Sequence, residues 1–587
     1  MTAKAEQGTP PHPNTLRQFL ALSGPWLARW HTRGQIALLV LFTLIQVVFA
    51  VAYNIWFAML FDALDARDTA RIWQAIWLFV LLLAAIIVSN IAQIEWKRRL
   101  TLSWREALTE RLVGQWLEGG QHWRLAQIPG SPDNPDARIA EDIRIATEHA
   151  VELFSTLVLC GGLLVSFVGI LWSLSGEVRI GELALPGMLV WLALLYAGAG
   201  AVAAFLVGRP LTRATEARQR AEADFRFALA EAREKGEALA MARGEAQARS
   251  GLLRRFAGLA AAWREQSRGI RHLTGFQSAY TTVSPILPLM AAAPRYLAGD
   301  ITLGQLIQIG QAFPQTVSAL SWPVDNAARL AEWRASAERV LLFADALEPH
   351  GEASAIQRIE GGEALVLDQL ILRDASGIAL SAPLDAVLTP GTRIEIHGDG
   401  SAIRALQLAI LGLWPWGEGR LEVPAGIALA ALPANPWLPE GRLAALLDPT
   451  GETPEAALTA ALEAVGLGRL AGQLEQEAAW GALLDDADRL RLGFARLLLG
   501  RPGLVLLGDL AGPLGEEEAR RLLRLLVMAA PEAIVLVADH GSSGFAGRLL
   551  LPPPEGVAPG AAARALSRAR TFQLVDWLRR GFGHAAE

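Results

Sequence analysis

Cysteine and lysine are both scarce in this sequence, and each shortage excludes a kind of chemistry. One cysteine, Cys160, in 587 residues leaves no disulfide framework within a single chain. It lies in an apolar run and reads as a small buried hydrophobe rather than a reactive thiol. The 53 basic residues include three lysines, Lys4, Lys97 and Lys235, so no lysine serves the C-terminal half. A net charge of −6 carries no bulk attraction to nucleic acid, which is not an expected partner. The opening MTAKAEQGTPPHPNT has neither the apolar core nor the cleavage site of a signal peptide, and reads as a cytoplasmic lead-in.

What the chain does have is length and apolar residues. It suits two or more domains, with 52% hydrophobic residues and a mean hydropathy of +0.30. Six segments carry no Asp, Glu, Lys or Arg: Gly34–Phe61, Ile72–Ile94, Leu153–Gly176, Leu183–Gly208, Leu273–Pro294 and Ile301–Val324. Each exceeds the ~20 residues with which a helix crosses hydrocarbon. The last two contain Thr, Ser, Gln and Gly, as spans facing other helices or a water-filled cavity do. Basic residues fall 26 to 4 in favour of the N-terminus and the stretches 95–150 and 209–272. That asymmetry predicts a multi-pass protein with both termini in the cytoplasm. The two long loops mix apolar and charged residues at helical spacing, so they extend the membrane helices well beyond the bilayer.

Three blocks carry a family resemblance. In IEWKRRLTLSWREALTERLVGQWLEGGQHWRLAQIPGSPDNPDARIAEDIR, the matching positions are Trp116, Trp123, Arg124, Asp133, Asn134, Pro135, Asp136, Arg138, Glu141 and Asp142. REKGEALAMARGE keeps Arg233, Glu234, Glu237, Gly244 and Glu245, with Lys235 and Ala242 where the family has Asn and Tyr. The third runs from AAPRYLAGD through SWPVDNAARLAEWRASAERV. Together they resemble the SbmA/BacA-type peptide transporters and their ABC-fused, YddA-type relatives. The resemblance implies a type-1 ABC exporter-like α-helical membrane protein of six transmembrane helices, fused to a cytosolic α/β ABC-type nucleotide-binding-like domain. Expected boundaries are a cytoplasmic segment 1–34, a transmembrane domain 35–345, a linker 346–360, the α/β domain 361–560 and a tail 561–587.

Within the membrane half, Asp133-Asn134-Pro135-Asp136 reads as a helix start, with side-chain acceptors for orphan amides and a proline near the first turn. By resemblance this hairpin contacts the cytosolic domain. Glu234, Glu237 and Glu245 read either as ion-paired to Arg233, Arg243 or Arg249 on one helix, or as proton-responsive carboxylates at the inner mouth. Asp325 ends the sixth uncharged run, as an interfacial anchor or as a proton or substrate-charge site.

From about residue 360, short strand-like and helical runs alternate, which argues for an α/β domain. ALVLDQLILRD and TRIEIHG read as strands, and RPGLVLLGDL and EAIVLVADH as buried parallel ones. GLWPWGEGR, LPANPWLPEGRL and FARLLLGRPGLVLLGD stand in the order of an ABC ATPase domain. The motif residues are missing. A phosphate loop needs G-x-x-x-x-G-K-[ST], whereas GDGSAIRAL offers Gly398, Gly400 and Ser401, with Ile403 at the lysine position and Arg404 at the hydroxyl position. Arginine does not simply replace that lysine. The strand that should end in Asp-Glu ends in Gly508-Asp509, and the glutamine position is Ala434. The signature loop reads Leu484-Asp485-Asp486-Ala487-Asp488, which puts Asp485 where a serine should meet phosphate. The next expected aspartate position is Gly515, and His540 matches the switch histidine.

These losses predict no ATP hydrolysis, no metal site and no cofactor, ATP and magnesium included. The chain reads first as an inner-membrane transporter subunit, a homodimer in the lipid bilayer moving peptide-like or hydrophilic solutes by proton-coupled alternating access. A second reading pairs it with an intact ABC half-transporter driven by ATP. A third makes it a non-transporting regulatory subunit.

Overall fold

The computed structural model describes residues 14–130, 132–175, 177–180, 183–348, 355–538 and 544–554. The chain divides into two compact units, one grouping Met1–Gln115 with Pro132–Asp345, the other Trp116–Ser131 with Ala346–Arg580. His540 and the tail 561–587 lie outside the described residues.

The first unit is helical. Its long helices are α1 (Trp30–Asp65), α2 (Thr69–Leu117), which continues into the second unit, α4 (Ile143–Ser175), α5 (Met188–Glu234), α6 (Glu245–Leu297) and α7 (Leu303–Asp325), followed by α8 (Ala327–Leu347); the short α3 (Gln121–Leu125) belongs to the second unit. The helices around α1, α2, α4 and α5 are long and apolar enough to cross a membrane. Their outward faces are studded with exposed Leu, Ile, Val and Trp, as in Trp77, Leu81 and Val88 of α2, a surface stable in lipid rather than in water. Helices α5 and α6 run 47 and 53 residues, so α6 spans about 80 Å. Cys160, on α4, is half-buried.

Two expectations about this unit are corrected. The fourth uncharged run does not become helix at Leu183: β1 (Glu177–Ile180) pairs antiparallel with β2 (Leu183–Pro186). Helix α5 starts only at Met188, after Pro186 and a left-handed Gly187 that together break an earlier start. The segment carrying Glu234, Glu237 and Glu245 is not one helix. It breaks at Lys235 and again at Arg243-Gly244, where Arg243 has φ +48°.

A core of Phe167, Leu171, Leu189, Ala193, Ile309 and Phe313 joins α4, α5 and α7. Some polar groups inside the bundle find partners, while the buried Asn54 Oδ1 and Ser89 Oγ have none among the described residues. Asp62 accepts from the Gly304 amide at 2.8 Å, and Thr302 and Gln305 form a capping box at the start of α7.

The α/β part of the second unit holds a five-stranded parallel sheet and a smaller four-stranded one. In chain order the strands are β3 (Ile356–Glu360), β4 (Leu365–Leu372), β5 (Leu384–Leu388), β6 (Arg393–His397), β7 (Gly417–Val423), β8 (Leu429–Leu432), β9 (Leu504–Leu507), β10 (Ile534–Val537) and β11 (Gly547–Leu550). The parallel sheet has the order β11-β6-β10-β9-β8, and the other β3-β7-β4-β5. All four residues of β9, and all four of β10, are buried, which is why those segments read as unbroken apolar runs. Helices α9 (Gly400–Ile410), α10 (Asp486–Gly500) and α11 (Glu516–Ala529) pack on this frame.

Candidate functional site

The nucleotide-site positions gather at the C-terminal ends of β6, β8 and β9, where ligands bind in open α/β sheets. Between β6 and α9 stand only Gly398 and Asp399. A phosphate loop instead wraps its backbone amides around the ligand before the helix begins. Here α9 starts at Gly400, three residues ahead of Ile403, and one of its first amides is already taken: Asp399 accepts from the Ser401 backbone at 2.9 Å and from its hydroxyl at 2.5 Å. Ile403 is buried in the core beneath the sheet, whereas Arg404 points to solvent.

The end of β9 is equally closed. A Cβ on Gly508 would stand 2.7 Å from the Ala434 backbone nitrogen, so the chain after β8 occupies the space of any side chain there. The Gly508 amide donates to Leu432 at 2.8 Å. Asp509 is exposed and turned onto its own loop, accepting from the Ala511 and Gly512 amides at 3.1 and 3.3 Å.

Asp485 is the N-cap of α10 and accepts from the Asp488 amide at 2.8 Å. Asp486 and Asp488 share that first turn with Ala487. Asp488 is buried, held by Arg469 and by Arg491 at 2.9 Å. Gly515, with φ +80°, begins α11 without a side-chain cap. Both helix N-termini that could receive a phosphate therefore carry the chain's own carboxylates. Among the described residues no group of His, Cys, Asp and Glu could hold a metal ion.

In the first unit, the expected cap at 133–136 takes a different form. Pro135 does open a helical turn, but Asn134 is left-handed at φ +50° and no side chain caps it. Asp133 instead accepts from Arg138 at 2.8 Å, and Arg138 also reaches Asp142 at 2.9 Å. Asp142 is buried and takes a bidentate hold from Arg339 of α8, at 2.9 Å to one carboxylate oxygen and 2.5 Å to the other. Burial pushes the Asp142 carboxyl up, but the hydrogen bonds from Arg339 and Arg138 outweigh it and hold the group below the usual carboxylate range. Asp136 and Glu141 are exposed and stand outside this network.

Glu234, Glu237 and Glu245 are exposed as well, and among the described residues none pairs with Arg233, Arg243 or Arg249. The helix breaks take them off a common face; the ion pair of this turn is Lys235 with Glu231, at 2.7 Å. Asp325 is the exposed last residue of α7.

The resemblance implied that the hairpin around 133–136 contacts the α/β domain, but sequence reasoning did not give the residue partners found inside the second unit. Gly120 approaches the Leu413 side chain so closely that a Cβ would lie 2.9 Å from it, and Trp123 packs at 5.6 Å from Trp414 and 6.2 Å from Trp416. Arg124 donates to the carbonyls of Gly412 and Leu413 at 3.2 and 3.4 Å. Those carbonyls follow the C-terminus of α9, where a cation is favoured. The signal was present as two tryptophan-rich phrases, yet nothing in either specified the other as partner.

Residues 27–297 match the family model of ABC transporter transmembrane region 2. The chain is 27% identical to the inner membrane ABC transporter ATP-binding protein YddA of Escherichia coli, over 90% of this chain and 96% of that protein. An uncharacterized ABC transporter ATP-binding protein of Haemophilus influenzae is 26% identical over 90% of both chains. ABC transporter D family member 2, chloroplastic, of Arabidopsis thaliana is 25% identical over 85% of this chain and 81% of that one.

Proposed function

The chain is homologous to ABC transporter proteins, a membrane region fused to an ABC ATPase-like domain, and we propose that it transports solute without hydrolysing ATP. The observation that carries this reading is the pair of self-capped helix starts. Asp399 on α9 and Asp485 on α10 hold negative charge where an ABC ATPase places phosphate oxygens, and like charges in such a site repel. With Ile403 in the core and no side-chain room at Gly508, neither the phosphate-binding cation nor the magnesium carboxylate has a substitute. Each active site of the family joins one subunit's phosphate loop to the other's signature loop. This chain is altered in both.

Energy then enters through the membrane half, in which α6 and α7 supply the fifth and sixth crossings. The subunit is a homodimer of the bacterial inner membrane, with both termini cytoplasmic. It moves peptides or similar hydrophilic solutes by proton-coupled alternating access, and the α/β domain serves as a dimerising and stabilising body. It needs neither ATP nor magnesium. The relatives' names include ATP binding, which favours as second reading a heterodimer with an intact ABC half-transporter.

Proteoliposomes separate the readings. Uptake of a labelled peptide under an imposed pH gradient without ATP is the expected result. Magnesium-ATP turnover by the purified chain, abolished by changing Arg404 or Asp509, overturns it. No transport in either condition, together with co-purification of an intact half-transporter, points to a regulatory subunit.

A further inference from the structure

Lys97 and Glu152 form an ion pair between α2 and α4, with side chains 30% and 32% exposed. Lys97 leaves the uncharged run 72–94 and Glu152 precedes the uncharged run that begins at Leu153. The pair therefore sits at the hydrocarbon edge of two membrane helices, on the side rich in basic residues. Most other ion pairs described in the first unit link neighbours on one helix; the exceptions include two that reach α8, Asp142 with Arg339 and His149 with Glu332. This one ties two helices together, and it does so with one of only three lysines in the chain.

We propose that Glu152 is the carboxylate that carries the coupling proton and that Lys97 is the internal cation competing with that proton. The proposal rests on the proton-driven reading above. Glu234, Glu237 and Glu245 are exposed and form no ion pair to another helix among the described residues, so a proton bound there breaks no such pair. A proton on Glu152 changes one directly. When α2 and α4 part, an ionised Glu152 loses its partner at the edge of lipid and takes up a proton. When they close, the ammonium replaces it: Glu152-COOH and Lys97-NH3+ become the ion pair, and the proton leaves to water. Lysine suits this exchange because it is a compact point charge without the bidentate fork that holds arginine to carboxylate.

The other charged groups around Glu152 are engaged or distant along their helices. On α2, Arg99 pairs with Glu95 at 2.7 Å. On α4, Arg144 pairs with Glu148 at 3.0 Å, and His149 meets Glu332 of α8 at 3.2 Å. Helix α7 brings Asp325, one turn beyond Trp322, whose indole donates to Thr156 at 3.0 Å. Helix α1 carries no charge between Arg33 and Asp62, and α5 none before Arg209.

The test places nitroxides at the exposed Leu102 of α2 and Leu157 of α4, in a Cys160→Ser background, and follows their separation by electron–electron resonance from pH 8 to pH 5 in proteoliposomes. The separation is expected to change with pH in the otherwise unaltered chain. Glu152→Gln abolishes that dependence, Glu152→Asp retains it, and Lys97→Gln, which removes the competing cation, alters it. A Glu152→Gln protein that still titrates like the unaltered chain overturns the proposal, as does an unaltered chain whose separation ignores pH. Uptake of a dansyl-labelled hexapeptide under a pH gradient is measured in parallel. If the unaltered chain accumulates none, the energy-source reading fails, while the distance titration still decides the role of Glu152.

Discussion

Asp399 and Ser401 close on each other at the start of α9: one carboxylate oxygen accepts both the amide and the hydroxyl of the serine, at 2.9 and 2.5 Å. A side chain that would otherwise greet an incoming anion is thus spent on the chain itself. Replacing Asp399 with Ala removes an N-cap, with an expected cost of about 1 kcal/mol. Thermal unfolding followed by tryptophan fluorescence measures this. Because Ile403 stays in the core, the same variant is expected to bind a fluorescent ATP analogue no better than the parent.

Restoring the metal carboxylate tests whether the site is merely mutated or physically filled. With 2.7 Å between a Gly508 Cβ and the Ala434 nitrogen, Gly508→Asp must displace the chain after β8. Overpacking of this kind costs roughly 1–3 kcal/mol. The expected outcome is a lower melting temperature without magnesium-dependent ATP turnover; recovered turnover with unchanged melting contradicts the filled-site description.

The Asp142 network makes a pH prediction whose sign is definite. Its carboxyl titrates below the ordinary range in the folded chain, so its contribution is fully present above the unfolded value of about 3.9. That contribution is lost as pH falls through the lower folded value. Melting in detergent should decline over that acid range, and Asp142→Asn should flatten the decline. Removing one partner of a fully buried pair costs about 3–5 kcal/mol, and about 2 kcal/mol is expected here because Arg339 is 40% exposed.

Trp123 and Arg124 offer a structural test. Trp123→Ala empties the space beside Trp414 and Trp416, with an expected cost of about 2 kcal/mol for a half-buried ring. Amide exchange at residues 120–125 should quicken in this variant, and more weakly in Arg124→Ala, which removes donors without removing bulk.

Much of this was legible in the sequence because the signals were local. Uncharged runs of more than twenty residues announce the apolar helices, and the unbroken apolar segments around Leu504–Leu507 and Ile534–Val537 announce strands buried on both faces. The absence of lysine at the phosphate loop required no alignment. The rest depended on position in space. That Asp142 is gripped by Arg339, 197 residues away, has no periodicity to betray it. The late start of α5 was obscured because Leu183–Pro186 is as apolar as the helix it precedes; only Pro186-Gly187 marks the break. The expected ion pairs of Glu234 and Glu237 failed because they assumed a continuous helix through Lys235.

The second unit is assembled from two stretches of chain far apart in sequence, and that has an evolutionary consequence. A deletion that trimmed the protein at residue 345 would remove the surface on which Trp123, Arg124 and Gly120 rest, baring the aromatic ring of α3 that packs near Trp414 and Trp416. Loss of the α/β part would therefore be penalised through the stability of that hairpin, whatever chemistry the part performs.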